Sequence, residues 1–127
     1  MINNKKSILI VDDHADMGQT LKNIFAAKEY YVEMATSGAD AVLRAEEKPY
    51  AVVLTDLVME GLDGVDVIQR IKKIRPEALF FLMTAYPSEH RVKDAMASGV
   101  VKIFLKPFNV MELCSYIDGE ISKTPAK

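Results

Sequence analysis

Short apolar runs alternate with amphipathic stretches five times along this chain, and few folds accommodate that order. Three runs, Ile8-Leu9-Ile10-Val11, Ala51-Val52-Val53-Leu54 and Leu79-Phe80-Phe81-Leu82-Met83, carry no polar residue at alternate positions. A strand that is apolar on both sides has to be covered on both faces, as it is inside a parallel sheet. Tyr31-Val32-Glu33-Met34-Ala35 and Ile103-Phe104-Leu105 are weaker strand candidates, the former suited to an edge.

Between the runs, Met17, Leu21, Ile24, Phe25 and Lys28 fall on one side of a helix at three- and four-residue spacing, with Asp16 placed to cap it. Ala39, Val42, Leu43 and Ala45 predict a shorter helix after Ser37, with Asp40 as a reciprocal cap. Asp63 and Gly64 precede Val65, Ile68 and Ile71, a third helix that Pro76 must end. Ser88 opens a fourth, with a thin stripe of Val92, Ala95 and Met96, and Gly99 ends it. Asn109 with Glu112 caps the fifth, whose stripe Val110, Leu113, Cys114, Ile117 and Ile121 leads into a frayed tail from Ser122 to Lys127. Strand–helix order repeated five times predicts right-handed crossovers and an α/β, doubly wound, five-stranded parallel sheet. Such sheets bind ligands outside the carboxyl ends of their strands.

At 127 residues the chain is expected to form one domain, 1–127. Half of it is apolar and 27% is charged, and a chain of this length buries about two-thirds of its unfolded surface, enough for a core without staples. The 16 basic and 18 acidic side chains leave a net charge of −2, so neither nucleic acid nor an anionic membrane is an expected partner. The densest basic group, Arg70, Lys72, Lys73 and Arg75, follows a helical pattern and reads as a solvated face. Cys114 is the sole cysteine, which excludes an intramolecular disulfide, and its place on an apolar stripe reads as packing. The polar stretch Met1 to Ser7 and the short run after it form neither a signal core nor a membrane span, so the expected compartment is the cytoplasm. Neither G-x-x-x-x-G-K-[ST] nor G-x-G-x-x-G occurs, which leaves nucleotide binding without support.

Every reactive-looking group falls at a predicted carboxyl end. Strand one ends in Asp12-Asp13, strand three in Thr55-Asp56, strand four in Thr84-Ala85 and strand five in Lys106-Pro107. If strands one and three are neighbours, three carboxylates share one crevice. Like charges about 4 Å apart repel by roughly 4 kcal/mol at an effective dielectric of 20, so the cluster calls for cations. Lys106 supplies one. A divalent ion supplies more, and an all-oxygen site with room for waters and phosphate suits Mg²⁺ better than Zn²⁺ or a full Ca²⁺ cage. A carboxylate is a nucleophile toward phosphorus once metal and ammonium neutralise the transferring group, and a hydroxyl such as that of Thr84 can hydrogen-bond a phosphoryl oxygen. His14 reads as a loop residue near the site and His90 as solvated, since neither has a partner at zinc spacing. Met59, Met83 and Met96 read as packing.

The set Asp12-Asp13, Asp56, Thr84 and Lys106-Pro107-Phe108, with Asp63-Gly64 after the central aspartate, resembles the receiver domain of two-component response regulators over about Lys6 to Ser122. The resemblance implies a flavodoxin-like (βα)5 sheet with strand order 2-1-3-4-5. It implies that Asp56 accepts a phosphoryl group from a histidine kinase or histidine phosphotransfer protein. Asp13 and Asp56 would bind Mg²⁺ by side chain, Val58 by its carbonyl and Asp12 through water; Thr84 and Lys106 would hold the phosphoryl group, and Lys106–Pro107 would be cis. It further implies a switch that repacks the face of helix four, strand five and helix five for a downstream effector. The chain would act as a monomer or a phosphorylation-linked dimer, with no turnover of a free substrate.

The pattern is broken at Ile103, where the family usually carries Tyr or Phe; Phe104, one residue later, should face the other way. Glu60 stands where proline is common. Val58 and Tyr86 are expected to flank the phosphoryl group and hinder water. Two other readings are compatible with the residues. One is a Mg²⁺ phosphohydrolase with Asp56 as nucleophile, which lacks a second aspartate because Val58 stands two residues on. The other is a receiver-like docking module acting without phosphorylation, to which Ile103 gives weight. The segment Lys123-Thr124-Pro125-Ala126-Lys127 suits either a chain end or the start of a linker.

Overall fold

The runs that are apolar on both sides become the middle of one sheet. In a computed structural model, which describes residues 6–123, strands and helices alternate as β1 (Ser7–Val11), α1 (Ala15–Ala27), β2 (Tyr31–Ala35), α2 (Gly38–Glu47), β3 (Val52–Asp56), α3 (Gly64–Ile74), β4 (Leu79–Thr84), α4 (Glu89–Ala97), β5 (Val100–Leu105) and α5 (Val110–Lys123). The strands are parallel in the order β2-β1-β3-β4-β5. The two weaker runs therefore form the edges, where one side of each strand needs no partner. On β2 that exposure is managed by charge: Glu33 is bonded by Tyr31, Arg44, Lys48 and Tyr50, which blunts the edge with a closed polar network.

Alternation of side chains along each strand sorts the core into two layers. Ile8, Ile10, Leu54, Phe81 and Met83 face α1 and α5, meeting Leu21, Phe25, Leu113 and Ile117. Leu9, Val11, Val53, Phe80 and Leu82 face α2, α3 and α4, meeting Ala41, Ile68, Ile71 and Ala95. Ile103 joins the second layer and Phe104 the first, so the two do point to opposite faces. Cys114 is buried on the inner face of α5 within the core, and that burial pushes its thiol up to about 11.

Helix starts follow the side chains that accept their first N–H groups. Ser37 accepts from Asp40, Ser88 from Arg91 and Asn109 from Glu112, while Asp63 and Asp66 form a reciprocal capping box. Five expectations are corrected. The residue that caps α1 is His14 and not Asp16, because Asp12 Oδ1 accepts the His14 N–H at 2.8 Å and fixes the turn upstream. The Asp40 carboxylate bonds Arg44 at 3.0 Å rather than reaching back to the cap. In α2 the inward face is Gly38, Ala41 and Ala45, with Leu43 exposed, since Gly38 lets the helix approach Leu62 and Val67 so closely that a Cβ there would meet both. Met96 is likewise exposed, because α4 buries only Ala95 fully. Ser122 and Lys123 belong to α5, and the rest of the expected tail lies outside the described residues.

One close approach shapes the site. A Cβ on Gly64 would sit 2.5 Å from the Asp56 carbonyl oxygen and 2.9 Å from Leu57 Cα. With glycine there, the Gly64 N–H donates to Leu57 O at 2.8 Å, and the start of α3 is pressed backbone to backbone against the end of β3. Among the described residues no helix is long and apolar enough to cross a membrane.

Candidate functional site

The sheet delivers four distant segments to one point. Asp12 and Asp13 follow β1, Asp56 is the last residue of β3, Thr84 the last of β4, and Lys106 follows β5. Because β1 and β3 are paired, Asp12, Asp13 and Asp56 converge, and one ligand atom from each, together with one from His14, lies within 4.8 Å of the others. Lys106 Nζ is 3.2 Å from Asp56 Oδ2 and 4.0 Å from Asp12 Oδ2. The Lys106 N–H donates to Thr84 O at 2.8 Å, which ties the two loops, and the Lys106–Pro107 peptide is cis. A cleft of about 240 Å³ opens beside these groups, lined by His14, Asp56, Val58, Thr84, Tyr86 and Lys106.

The electrostatics of this cluster are incomplete as protein alone. Asp12 is 1% exposed and Asp56 4% exposed. Burial pushes the Asp56 carboxyl above its ordinary range; Lys106, beside it, and a hydrogen bond from the Val58 backbone pull it down, while Asp12 pushes it up again. Asp12 uses Oδ1 on the His14 N–H, but its buried Oδ2 has no hydrogen-bond partner, the lysine being too distant to donate. A buried unpaired carboxylate oxygen is costly unless a cation meets it. The donor set, three carboxylates and a ring nitrogen with one ammonium for compensation, therefore fits a divalent metal ion, with Asp12, Asp13 and Asp56 as the residues able to hold it.

Asp12, Asp13, Asp56, Thr84 and Lys106, grouped from the strand ends, all lie here. Val58 and Tyr86 stand at the cleft mouth, 51% and 76% exposed. Two features go further than the sequence reading. His14, expected near the site, stands inside the acidic cluster, with Nδ1 3.1 Å from Asp13 Oδ1 and 3.4 Å from Asp12 Oδ1; its sequence signal is adjacency to the acid pair. Arg91, on α4, forks onto both oxygens of Asp63 at 2.6 Å and holds Asp94 at 2.8 Å, fastening α4 to the cap of α3. Burial pushes Asp63 up, but Arg91 outweighs it and keeps that carboxyl below the usual range. No sequence signal reports a contact of that separation.

An acidic pocket with a hydroxyl and an ammonium, set over the carboxyl ends of a β2-β1-β3-β4-β5 sheet, defines a flavodoxin-like α/β domain with its candidate site at the strand ends. The sequence profile of the response regulator receiver domain matches residues 8–118, and the chain belongs to that family. It is 36% identical over 104 residues to the chemotaxis protein CheY of Thermotoga maritima, covering 81% of this chain and 87% of that one. A CheY-like receiver domain protein from Methanospirillum hungatei JF-1 has the same fold, with a TM-score of 0.90 at 24% identity over 93% of this chain and 94% of that one. The response regulator TrrA of Thermotoga maritima, solved in complex with Mg²⁺-BeF, superposes with a TM-score of 0.78 at 29% identity, over 90% of this chain and 97% of that one. The chain spans 28% of the length of the Salmonella transcriptional regulatory proteins ZraR, to which it is 30% identical over 124 residues.

Proposed function

We propose that this receiver takes a phosphoryl group on Asp56 from the phosphohistidine of a histidine kinase or histidine phosphotransfer protein, with Mg²⁺ bound. The observation that carries the reading is the convergence of Asp12, Asp13 and Asp56 with Lys106 around the orphaned Asp12 Oδ2. An Asp56 carboxylate oxygen attacks phosphorus, the phosphorus–nitrogen bond breaks, and the imidazole leaves with a proton taken from solvent. Asp13 and Asp56 side chains, the Val58 carbonyl and, through water, Asp12 would hold Mg²⁺, which supplies the positive charge that an incoming dianion needs. The support from TrrA is that its solved complex contains Mg²⁺ with a fluoroberyllate group.

The protein's own groups do the rest. Lys106 opposes the upward push that burial gives the Asp56 carboxyl and stays within reach of a bound phosphoryl oxygen. Thr84 Oγ1 accepts the Tyr86 N–H at 3.0 Å, leaving its O–H to donate to that oxygen. The same hydrogen bond links the hydroxyl to the loop before α4, so drawing Thr84 toward a phosphoryl group moves that loop and the face of α4, β5 and α5 that an effector would read. The reaction is on the protein's own side chain, without turnover of a free substrate.

Fluoroberyllate, a phosphoryl mimic, tests this directly by ¹⁹F NMR. A bound signal is expected only with Mg²⁺ present and is lost in Asp56→Asn; a bound signal retained in that variant, or absent from the wild type, overturns the assignment.

A further inference from the structure

We propose that the fork of Arg91 on Asp63 is a resting-state clamp: it holds α4 in its unphosphorylated position, and its strength sets how readily the receiver switches. The inference rests on the phosphoacceptor reading of Asp56 and adds the contact that opposes the switch.

Three observations carry it. The first is how α4 is fastened. Of its nine residues only Ala95 is fully buried, and Met96 is 54% exposed. Apolar burial contributes little to holding such a helix, so its polar ties to α3 weigh more. Arg91 Nη2 donates to both oxygens of Asp63 at 2.6 Å, Nε donates to Asp63 Oδ2 at 3.0 Å, and Nη1 donates to Asp94 at 2.8 Å. Arg91 and Asp63 are 29% and 28% exposed, sheltered enough for a charge-assisted fork of this geometry to count. The tie at the far end of α4, from Gln69 Nε2 to Ser98 Oγ at 3.1 Å, is neutral and exposed.

The second observation is the place of Asp63. It caps α3, and the next residue, Gly64, is pressed against the Asp56 carbonyl with its N–H on Leu57 O at 2.8 Å. That end of the fork is anchored to the backbone of β3 and does not yield. The third is the place of Arg91. Only Ala85 to Ser88 separate Thr84 from α4, and this loop is stiffened by Pro87 and tied back by the Tyr86 N–H on Thr84 Oγ1 at 3.0 Å. A pull on Thr84 passes through the short loop to α4, while Arg91 is held to a cap that cannot follow. Hydrogen bonds of this length are lost within about 1 Å of movement. The fork is therefore kept in the resting arrangement and given up in the switched one, and by linkage whatever it adds to the resting state weakens binding of a phosphoryl group. Strand β5 offers no substitute for it: Ile103, in the same layer as Ala95, is aliphatic, and Phe104 faces the opposite layer.

Titration of the full chain with fluoroberyllate and Mg²⁺, followed by ¹⁹F NMR, tests the clamp on the wild type, Arg91→Gln, Asp63→Asn, the double variant and the exposed control Lys93→Gln. Arg91→Gln is expected to bind fluoroberyllate about fivefold or more tightly than the wild type. Asp63→Asn, which keeps a capping side chain, should change in the same direction. The double variant should gain no more than Arg91→Gln, and Lys93→Gln should match the wild type. The urea midpoint of Arg91→Gln should fall at the same time, so tighter binding by a less stable protein separates a clamp from a bond that only braces the fold. In ¹⁵N NMR the α4 amides of unliganded Arg91→Gln should move along the line from the free to the fluoroberyllate-bound wild type. Binding by Arg91→Gln equal to or weaker than that of the wild type, gains that add in the double variant, or α4 shifts off that line overturn the clamp and leave the phosphoacceptor pocket standing. A wild type that binds no fluoroberyllate overturns the phosphoacceptor reading, and this inference with it.

Discussion

Replacing Asp12 with asparagine should stabilise this protein in EDTA and weaken it relative to the wild type in Mg²⁺. With an effective dielectric of 20, the Asp12 charge is repelled by Asp56, within 4.8 Å, by about 3.5 kcal/mol, and attracted to Lys106, 4.0 Å away, by about 4 kcal/mol. The Asp56 and Lys106 contributions nearly cancel, and Asp13, in the same cluster but 29% exposed, adds a smaller, screened repulsion. What remains is the buried Oδ2 with no hydrogen-bond partner, a desolvation cost of about 1–3 kcal/mol. Asparagine keeps the Oδ1 that accepts the His14 N–H, and its amide can donate toward Asp56. The variant should gain about 1–2 kcal/mol, equivalent to about 4–8 °C in Tm for a chain of this size. With Mg²⁺ at a hundredfold its dissociation constant the wild type gains about 2.7 kcal/mol by mass action, which a variant stripped of one carboxylate does not match, so the order of the two Tm values reverses. Thermal melts followed by circular dichroism, with EDTA and then with Mg²⁺, measure both. A variant that melts below the wild type in EDTA would refute the reasoning, because Asp12 would then already be satisfied by the protein.

Gly64→Ala should cost about 2 kcal/mol and weaken fluoroberyllate binding together with stability, since the new Cβ meets backbone at Asp56 and Leu57 and not a flexible side chain; wild-type urea midpoints would contradict this. Burial pushes Glu33 up, yet bonds from Lys48, Tyr31 and Tyr50 outweigh it and hold it at about 2 against an ordinary 4.5. A depressed carboxyl contributes stability above its unfolded value and loses it as pH falls, so roughly 2–3 kcal/mol should disappear between pH 4.5 and 2, and urea titrations of Glu33→Gln should show a flatter acid limb. Tyr86→Ala should shorten the lifetime of a phosphoryl group on Asp56 by about three- to tenfold by opening the cleft to water; an unchanged decay rate removes Tyr86 as a barrier.

Much of this architecture was legible because both faces of β1, β3 and β4 are covered, so their sequences are apolar without alternation and cannot be mistaken for half-buried strands. The site was legible for a related reason: in a parallel sheet the carboxyl ends gather at one edge, so Asp12, Asp13, Asp56, Thr84 and Lys106 could be grouped from strand ends alone. What escaped depends on contacts that periodicity does not encode. The inward face of α2 is set by Gly38 against Leu62 and Val67, which rotates Leu43 outward despite its apolar character. Spacing to another histidine carries no information about His14, whose partners are the neighbouring carboxylates. The Arg91 fork onto Asp63 joins residues far apart along the chain, and only the packing of α4 beside α3 brings them together.

Phosphodonor chemistry reaches the central claim most directly. Incubating the protein with acetyl phosphate and following intact mass, then mapping the modified peptide, should give one added phosphoryl group per chain, on Asp56, dependent on Mg²⁺ and absent from Asp56→Asn. A mass gain that survives in Asp56→Asn, or none at all with Mg²⁺ shown to be bound, would contradict it.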